Sequence, residues 1–171
     1  MKNTVSKDNF HLLKQSQSQT RLQHVKHNPK EKKDAKPIGG GFAQFNLSMA
    51  ILKAIKAKGY NLPTPIQRKA IPPILQGFNV IAMARTGSGK TGAFIIPAIE
   101  KLKEHSKIVG ARCVILSPTR EIALQTAAYF KAISKNTDLT HVLIIGGNDM
   151  ENQFERLLLN PDVIIATPGR L

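Results

Sequence analysis

The octapeptide Ala84-Arg85-Thr86-Gly87-Ser88-Gly89-Lys90-Thr91 constrains this chain more than any other stretch. It follows the apolar run Val80-Ile81-Ala82-Met83, which reads as a buried strand. It leads into Thr91 to Leu102, where Phe94, Ile95, Ala98, Ile99 and Leu102 recur at helical spacing. Strand, glycine-rich turn, Lys-Thr and helix make a phosphate cradle. Backbone N–H groups can converge on an anion only where side chains leave room, which Gly87, Ser88 and Gly89 provide. The helix N-terminus adds partial positive charge. In that pattern the Lys90 ammonium reaches the β- and γ-phosphates, and the Thr91 hydroxyl holds Mg²⁺. The strict pattern begins with glycine, and here the first residue is Ala84. The plainer alternative is a strand-to-helix turn that binds nothing. Strand, turn and helix in register favour a nucleotide-binding loop.

With 171 residues the chain is long enough for one domain with a core, and its hydrophobic content of 42% is ordinary. No apolar run reaches membrane-span length, and the first residues are too polar for a signal peptide. The single cysteine, Cys113, lies in the apolar run Cys113-Val114-Ile115-Leu116 and reads as a buried inert thiol in a reducing compartment. Net charge is +14, which favours a polyanionic partner. Residues 1–41 hold nine Lys/Arg against three Asp/Glu, and residues 42–171 sixteen against eight, so the folded part is itself basic.

Residues 1–41 read as a disordered basic tail. They contain the low-complexity run Gln15-Ser16-Gln17-Ser18-Gln19 and too little apolar surface to offset ordering entropy. Phe10, Leu12 and Leu13 have material for one helical turn. The lysines from Lys30 to Lys36 fit either a nuclear address or a solvated linker, and Gly39-Gly40-Gly41 marks the boundary. Order is expected from Phe42. Ser48 caps a helix carrying Ile51, Leu52 and Ile55 on one face and ending at Gly59. Thr64-Pro65 starts a second helix, expected to run to about Ile71 before Pro72-Pro73 disturbs it. Strands at about 112–117, 140–145 and 162–166 alternate with helices at about 119–134 and 150–159. That alternation indicates an α/β fold with a largely parallel sheet. Ligands in such folds gather at the C-terminal strand ends. Here those ends read Ala84 to Thr91, Ser117-Pro118-Thr119-Arg120, Gly146-Gly147 and Thr167-Pro168-Gly169-Arg170. One sheet edge is thereby equipped for phosphates at several points, one for a nucleotide and the rest for a second polyanion.

At this point the chain closely resembles the DEAD-box RNA helicases, over about 42–171 and through several motifs in order. Phe42 lies 17 residues before Gly59, and with Gly59-Tyr60-Asn61-Leu62-Pro63-Thr64-Pro65-Ile66-Gln67 it is similar to the family's Q motif, about 40–68. The phosphate loop matches the family's version, which also starts with alanine. Pro118-Thr119-Arg120-Glu121-Ile122-Ala123-Leu124-Gln125 resembles motif Ia. Gly146-Gly147 matches the glycine doublet, and Thr167-Pro168-Gly169-Arg170 matches motif Ib. Ala82-Met83-Ala84-Arg85 and Pro65-Ile66-Gln67-Arg68-Lys69 resemble the nucleolar branch that works in large-subunit ribosome assembly.

The resemblance implies a RecA-like domain, ATP and Mg²⁺ as ligands, and RNA (ribosomal RNA or a pre-ribosome) held mostly through sugar and phosphate. It also implies a monomer in the nucleus and nucleolus, with the cytoplasm as the alternative. ATP falls to Phe42, Gln67 and Ala84 through Thr91, with Lys90 and Thr91 catalytic. Gln67 reads adenine, since a carboxamide can donate to N7 and accept from the N6 amine. Phe42 packs near the base, unless it is an ordinary core aromatic. RNA falls to Pro118, Thr119, Arg120, Gly146, Gly147, Thr167, Pro168, Gly169 and Arg170. The two arginines either touch phosphates or order the loops through ion pairs. Gly92 departs from the family's usual alanine, at a helix-propensity cost of ~1 kcal/mol. No Asp-Glu-Ala-Asp occurs up to Leu171, nor a second RecA-like domain. The sequence therefore reads as the truncated N-terminal part of a helicase. Two functions are open: part of an ATP-driven RNA helicase, or a non-catalytic nucleotide- and RNA-binding lobe.

Overall fold

The computed structural model describes residues 40–147 and 149–171, together with the backbone of 23–25. Strand β1 is Gln23–Val25, and a short 3-10 helix, Phe42–Phe45, opens the continuous part. Then follow α1 Met49–Ala57, α2 Pro65–Leu75, β2 Val80–Ala82, α3 Lys90–Leu102 and β3 Cys113–Leu116. The chain continues with α4 Arg120–Ile133, β4 His141–Ile144, α5 Met150–Leu158 and β5 Val163–Ala166. The expected α/β alternation with a parallel sheet is present.

Strands β3, β5 and β4 form a parallel sheet in that spatial order, with Leu116, Ala166 and Ile144 level at its C-terminal edge. Parallel neighbours need crossovers, which α4 and α5 supply. The core lies between the sheet and the helices. Ile51 and Ile55 of α1, Ile95 and Ile99 of α3, Phe130 and Ile133 of α4, and Val163 and Ile165 of β5 are all fully buried or nearly so. Each such side chain contributes ~1.5–3 kcal/mol of burial free energy. Burial pushes the thiol of half-buried Cys113 above its ordinary range, as an inert cysteine requires.

Two expectations need correction. Helix α2 does not stop near Ile71 but runs through Pro72 and Pro73 to Leu75. Proline removes a donor but keeps its carbonyl, and Pro72 O and Pro73 O accept from Gln76 N and Phe78 N at 3.1 and 3.0 Å. Buried Ile71 and half-buried Leu75 pack into the core from this last stretch, which offsets the lost bonds. The phosphate-loop strand, expected to be buried, is open: Ile81 is 44% and Met83 66% exposed. Among the described residues it pairs in parallel with β1 alone and makes no ladder with β3, so its faces lack the cover that a central strand receives. Of residues 1–41, read as a tail, the structure describes 40 and 41 and the backbone of β1, which pairs in parallel with β2. The Phe10–Leu13 turn and the Lys30–Lys36 run lie outside the described residues.

Candidate functional site

Helix α2 begins with a reciprocal cap. Gln67 N donates to Thr64 Oγ1 at 3.4 Å, and Gln67 Oε1 accepts from Thr64 N at 2.9 Å. The same carboxamide reaches across to the phosphate loop, where Gln67 Nε2 donates to Gly89 O at 3.1 Å. Gln67 is only 4% exposed. A carboxamide has two N–H donors and two acceptor lone pairs, so one of each is left after these bonds.

The loop itself turns through Gly89, whose φ of +89° lies in the left-handed region. A Cβ there would also meet Gln67 Nε2 at 2.7 Å and Thr64 Oγ1 at 2.9 Å. Glycine is thus required twice, by conformation and by the approach of α2. Helix α3 starts at Lys90, and the Lys90 ammonium folds back to donate to Ala84 O and Arg85 O at 2.6 and 2.7 Å. Thr86, Gly87 and Ser88 complete the turn, with Ser88 N donating to Arg85 O at 3.3 Å. Ser88 Oγ is buried and has no hydrogen-bond partner among the described residues. These groups fit a polyphosphate: a cation, a buried hydroxyl and the first N–H groups of α3 converge on one loop. Lys90 and Thr91 open onto a cleft of about 410 Å³ that runs to Leu116, Ser117 and Pro118 at the end of β3. The fit for Mg²⁺ rests on the Thr91 hydroxyl and the phosphates themselves. Among the described residues no cluster of three His, Cys, Asp or Glu could hold a metal.

At the neighbouring strand ends, Thr119 caps α4 by accepting from Ile122 N at 3.3 Å. The Arg120 guanidinium donates to Gly146 O, and a Cβ on Gly147 would lie 3.1 Å from Arg120 Nη1. That bond ties Arg120 to the glycine doublet through a backbone carbonyl and not through an ion pair. Gln153 of α5, buried, accepts from Ile145 N at 2.9 Å and fixes the same loop from its other side. The β5 end makes a turn in which Arg170 N donates to Thr167 O at 3.0 Å, carrying Pro168 and Gly169. Arg170 lines an apolar groove with Ile144, Phe154 and Leu171. The structure thus brings Pro118, Thr119, Arg120, Gly146, Gly147 and Thr167 to one edge, beside the phosphate loop.

Phe42 is a core ring, 4% exposed and edge-on to Phe45 with centroids 6.2 Å apart. The exposed aromatic near Gln67 is Tyr60, which stacks on Tyr129 at 6.2 Å and 20°. Sequence reasoning passed over both tyrosines. Tyr60 had a signal, its place inside the Gly59–Gln67 motif, whereas Tyr129 had none, since its neighbours come from distant segments.

A family model described as DEAD/DEAH box helicase matches residues 64–171. The chain is 60% identical over 132 residues to ATP-dependent RNA helicase DBP10 of Phaeosphaeria nodorum, covering 77% of this chain and 15% of that protein. It is 61% identical over 132 residues to ATP-dependent RNA helicase ddx54 of Dictyostelium discoideum, covering 77% and 12%. Among solved structures it is similar to a DEAD box protein from the hyperthermophile Methanococcus jannaschii. That match has a TM-score of 0.70 and 42% identity, over 76% of this chain and 35% of that one. The chain therefore spans a small part of the length of the curated relatives it matches.

Proposed function

The chain belongs to the DEAD/DEAH box helicase family, and we propose that it supplies the ATP-binding face and part of the RNA-binding face of an ATP-dependent RNA helicase. One observation carries this reading: the Gln67 carboxamide is bonded to Gly89 O in the phosphate loop with one donor and one acceptor to spare. Adenine needs that pair, an acceptor for its N6 amine and a donor for N7. Base recognition and phosphate binding then share a backbone atom. Ala84 through Thr91 take the phosphates, with Lys90 leaving the Ala84 and Arg85 carbonyls for the ligand's charge. Mg²⁺ would arrive with the nucleotide on Thr91. When bound, the metal supplies charge neutralisation at the phosphates. Phe42 supports the pocket from within the core.

Guanine presents an acceptor, O6, where adenine has its amine, so a wrong base leaves buried polar groups unpaired at ~1–3 kcal/mol. The complete protein is therefore expected to prefer ATP to GTP, and Gln67→Ala to erase the preference. Titrating both nucleotides against both proteins checks this. Equal affinities in wild type would remove the role of Gln67.

RNA lies along Pro118–Arg120, Gly146–Gly147 and Thr167–Arg170 in this reading, through its backbone and with little regard to sequence. Arg170→Ala is expected to weaken RNA binding evenly across sequences and to reduce the salt slope by about one. Arg120→Ala should weaken it more, since the Gly146–Gly147 loop loses its tether. ATP binding without RNA should hold in both. A sequence-selective loss, or none, counts against the assignment. The relatives are named ATP-dependent RNA helicases. Work on ribosomal RNA or a pre-ribosome, by a monomer in the nucleolus instead of the cytoplasm, is the reading that the resemblance of Ala82–Arg85 and Pro65–Lys69 to the nucleolar branch supports. Among the described residues no helix is long and apolar enough to cross a membrane. The second reading, a lobe that binds without turnover, applies to the 171 residues by themselves.

A further inference from the structure

Gly92 stands in the first turn of α3, where alanine would favour the helix by ~1 kcal/mol. The packing supplies a reason for glycine. A Cβ on residue 92 would lie 2.5 Å from Tyr129 Oη and 2.7 Å from Gln67 Nε2, both well inside contact distance. Neither neighbour is free to withdraw. Gln67 is held at both ends of its amide, by Thr64 N and Gly89 O. The Tyr129 ring is stacked on Tyr60, and Lys58 Nζ lies 5.8 Å from its centre. Tyr129 Oη is buried and has no hydrogen-bond partner among the described residues, so packing alone sets its place.

We propose that Gly92 and Tyr129 are positioning residues for nucleotide selection. The missing Cβ leaves a slot shared by the Tyr129 hydroxyl and the Gln67 amide, and that slot seats the carboxamide against Gly89 O. The inference rests on Gln67 as the base reader. A methyl group at residue 92 displaces Nε2 from Gly89 O or forces the Tyr129 ring off Tyr60. The first outcome turns the remaining donor and acceptor away from the base. The second opens the wall beside it.

In the complete protein, Gly92→Ala is expected to lower ATP affinity about tenfold and to shrink the ATP-over-GTP ratio by a similar factor. Tyr129→Phe removes the nearest obstructing atom; Gln67 Nε2 at 2.7 Å and Tyr129 Cζ at 3.3 Å from the added methyl remain, and the space the hydroxyl leaves lets residue 92 shift off Nε2. Gly92→Ala/Tyr129→Phe should therefore recover to within about threefold of Tyr129→Phe alone, a coupling that independent sites would not show. Circular dichroism and thermal unfolding on all four proteins establish that each is folded. A wild-type ratio in folded Gly92→Ala, or a loss that Tyr129→Phe does not relieve, overturns the proposal. Gln67→Ala beside them separates the failures. An unchanged ratio there rejects Gln67 as the reader and the inference with it. A collapsed ratio there with a wild-type ratio in Gly92→Ala rejects the inference alone.

Discussion

Asp162→Ala is expected to cost about 3–5 kcal/mol of folding stability, the range for removing one partner from a buried charged cluster. Asp162 sits just before β5 and is 2% exposed. Its Oδ1 accepts from Arg112 Nη2 at 2.6 Å and from Ser106 N at 3.1 Å. Its Oδ2 accepts from His105 Nδ1 at 2.8 Å, Thr140 N at 3.0 Å and Thr140 Oγ1 at 3.3 Å. One carboxylate thus ties the α3–β3 connection and the start of β4 to β5, at the sheet edge opposite the phosphate loop. Truncation would leave two backbone N–H groups without their acceptor and the Arg112 guanidinium with, among the described residues, only the Leu102 and Glu104 carbonyls. A domain stable by ~5–15 kcal/mol has little margin for that loss. Chemical denaturation of wild type and variant measures it, and a difference below about 1 kcal/mol would show that water replaces the carboxylate.

The same cluster fixes a pH dependence. Burial by itself would raise the Asp162 carboxyl, but the donors from Thr140, His105, Arg112 and Ser106 outweigh it and hold it well below the usual carboxylate range. A depressed folded value means that the unfolded chain binds the proton first. The contribution is fully present above the ordinary value of about 4 and is lost as pH falls toward the folded value. Wild type should lose stability progressively below about pH 4. Asp162→Asn, which has no proton to take up, should show a flatter acid limb, and parallel limbs would argue against the assignment.

What could be read from the residues was local. The Val-Ile-Leu runs gave β3, β4 and β5, Thr64-Pro65 and Thr119 gave helix starts, and the glycine-lysine spacing gave the loop. Relations between distant segments were not legible. Asp162 draws its donors from residues 105, 106, 112 and 140, and only its place before an apolar run hinted at burial. Gly92 looked like a simple helix-propensity cost because Tyr129, 37 positions later, was not known to lie over it. The openness of β2 escaped for the same reason. Val-Ile-Ala-Met records that a strand is apolar, whereas exposure depends on which strands lie alongside. Pro72-Pro73 signals a helix end through its lost donors, whereas the core contacts of Ile71 and Leu75 that carry the helix on are not visible in the sequence.

A polypeptide of these 171 residues is expected to have no useful ATPase activity and to unfold broadly and aggregate, whereas one extended through both domains should turn over ATP in response to RNA. The chemical half follows from the loop. Lys90 and Thr91 can hold phosphates and a metal, but the acidic metal ligand and the water-orienting carboxylate implied by family membership belong to an Asp-Glu-Ala-Asp segment that is not within the sequence. The structural half follows from the sheet. Strands β2 and β3 flank a cleft of about 410 Å³ and do not pair with each other. Ile81 and Met83 on one side, and Val114 and Leu116 on the other, are exposed. Strands laid into that gap would satisfy both edges and cover side chains worth ~1.5–3 kcal/mol each when buried. Extension should therefore raise the unfolding temperature by well over ten degrees, since ~1 kcal/mol moves a domain of this size by several degrees. Thermal scans and RNA-stimulated phosphate release on the two lengths, at matched concentration, carry the comparison. Turnover by the short form near that of the long one would place the catalytic apparatus within residues 42–171. A sharp, equally high transition for the short form would mean that β1 already closes the sheet.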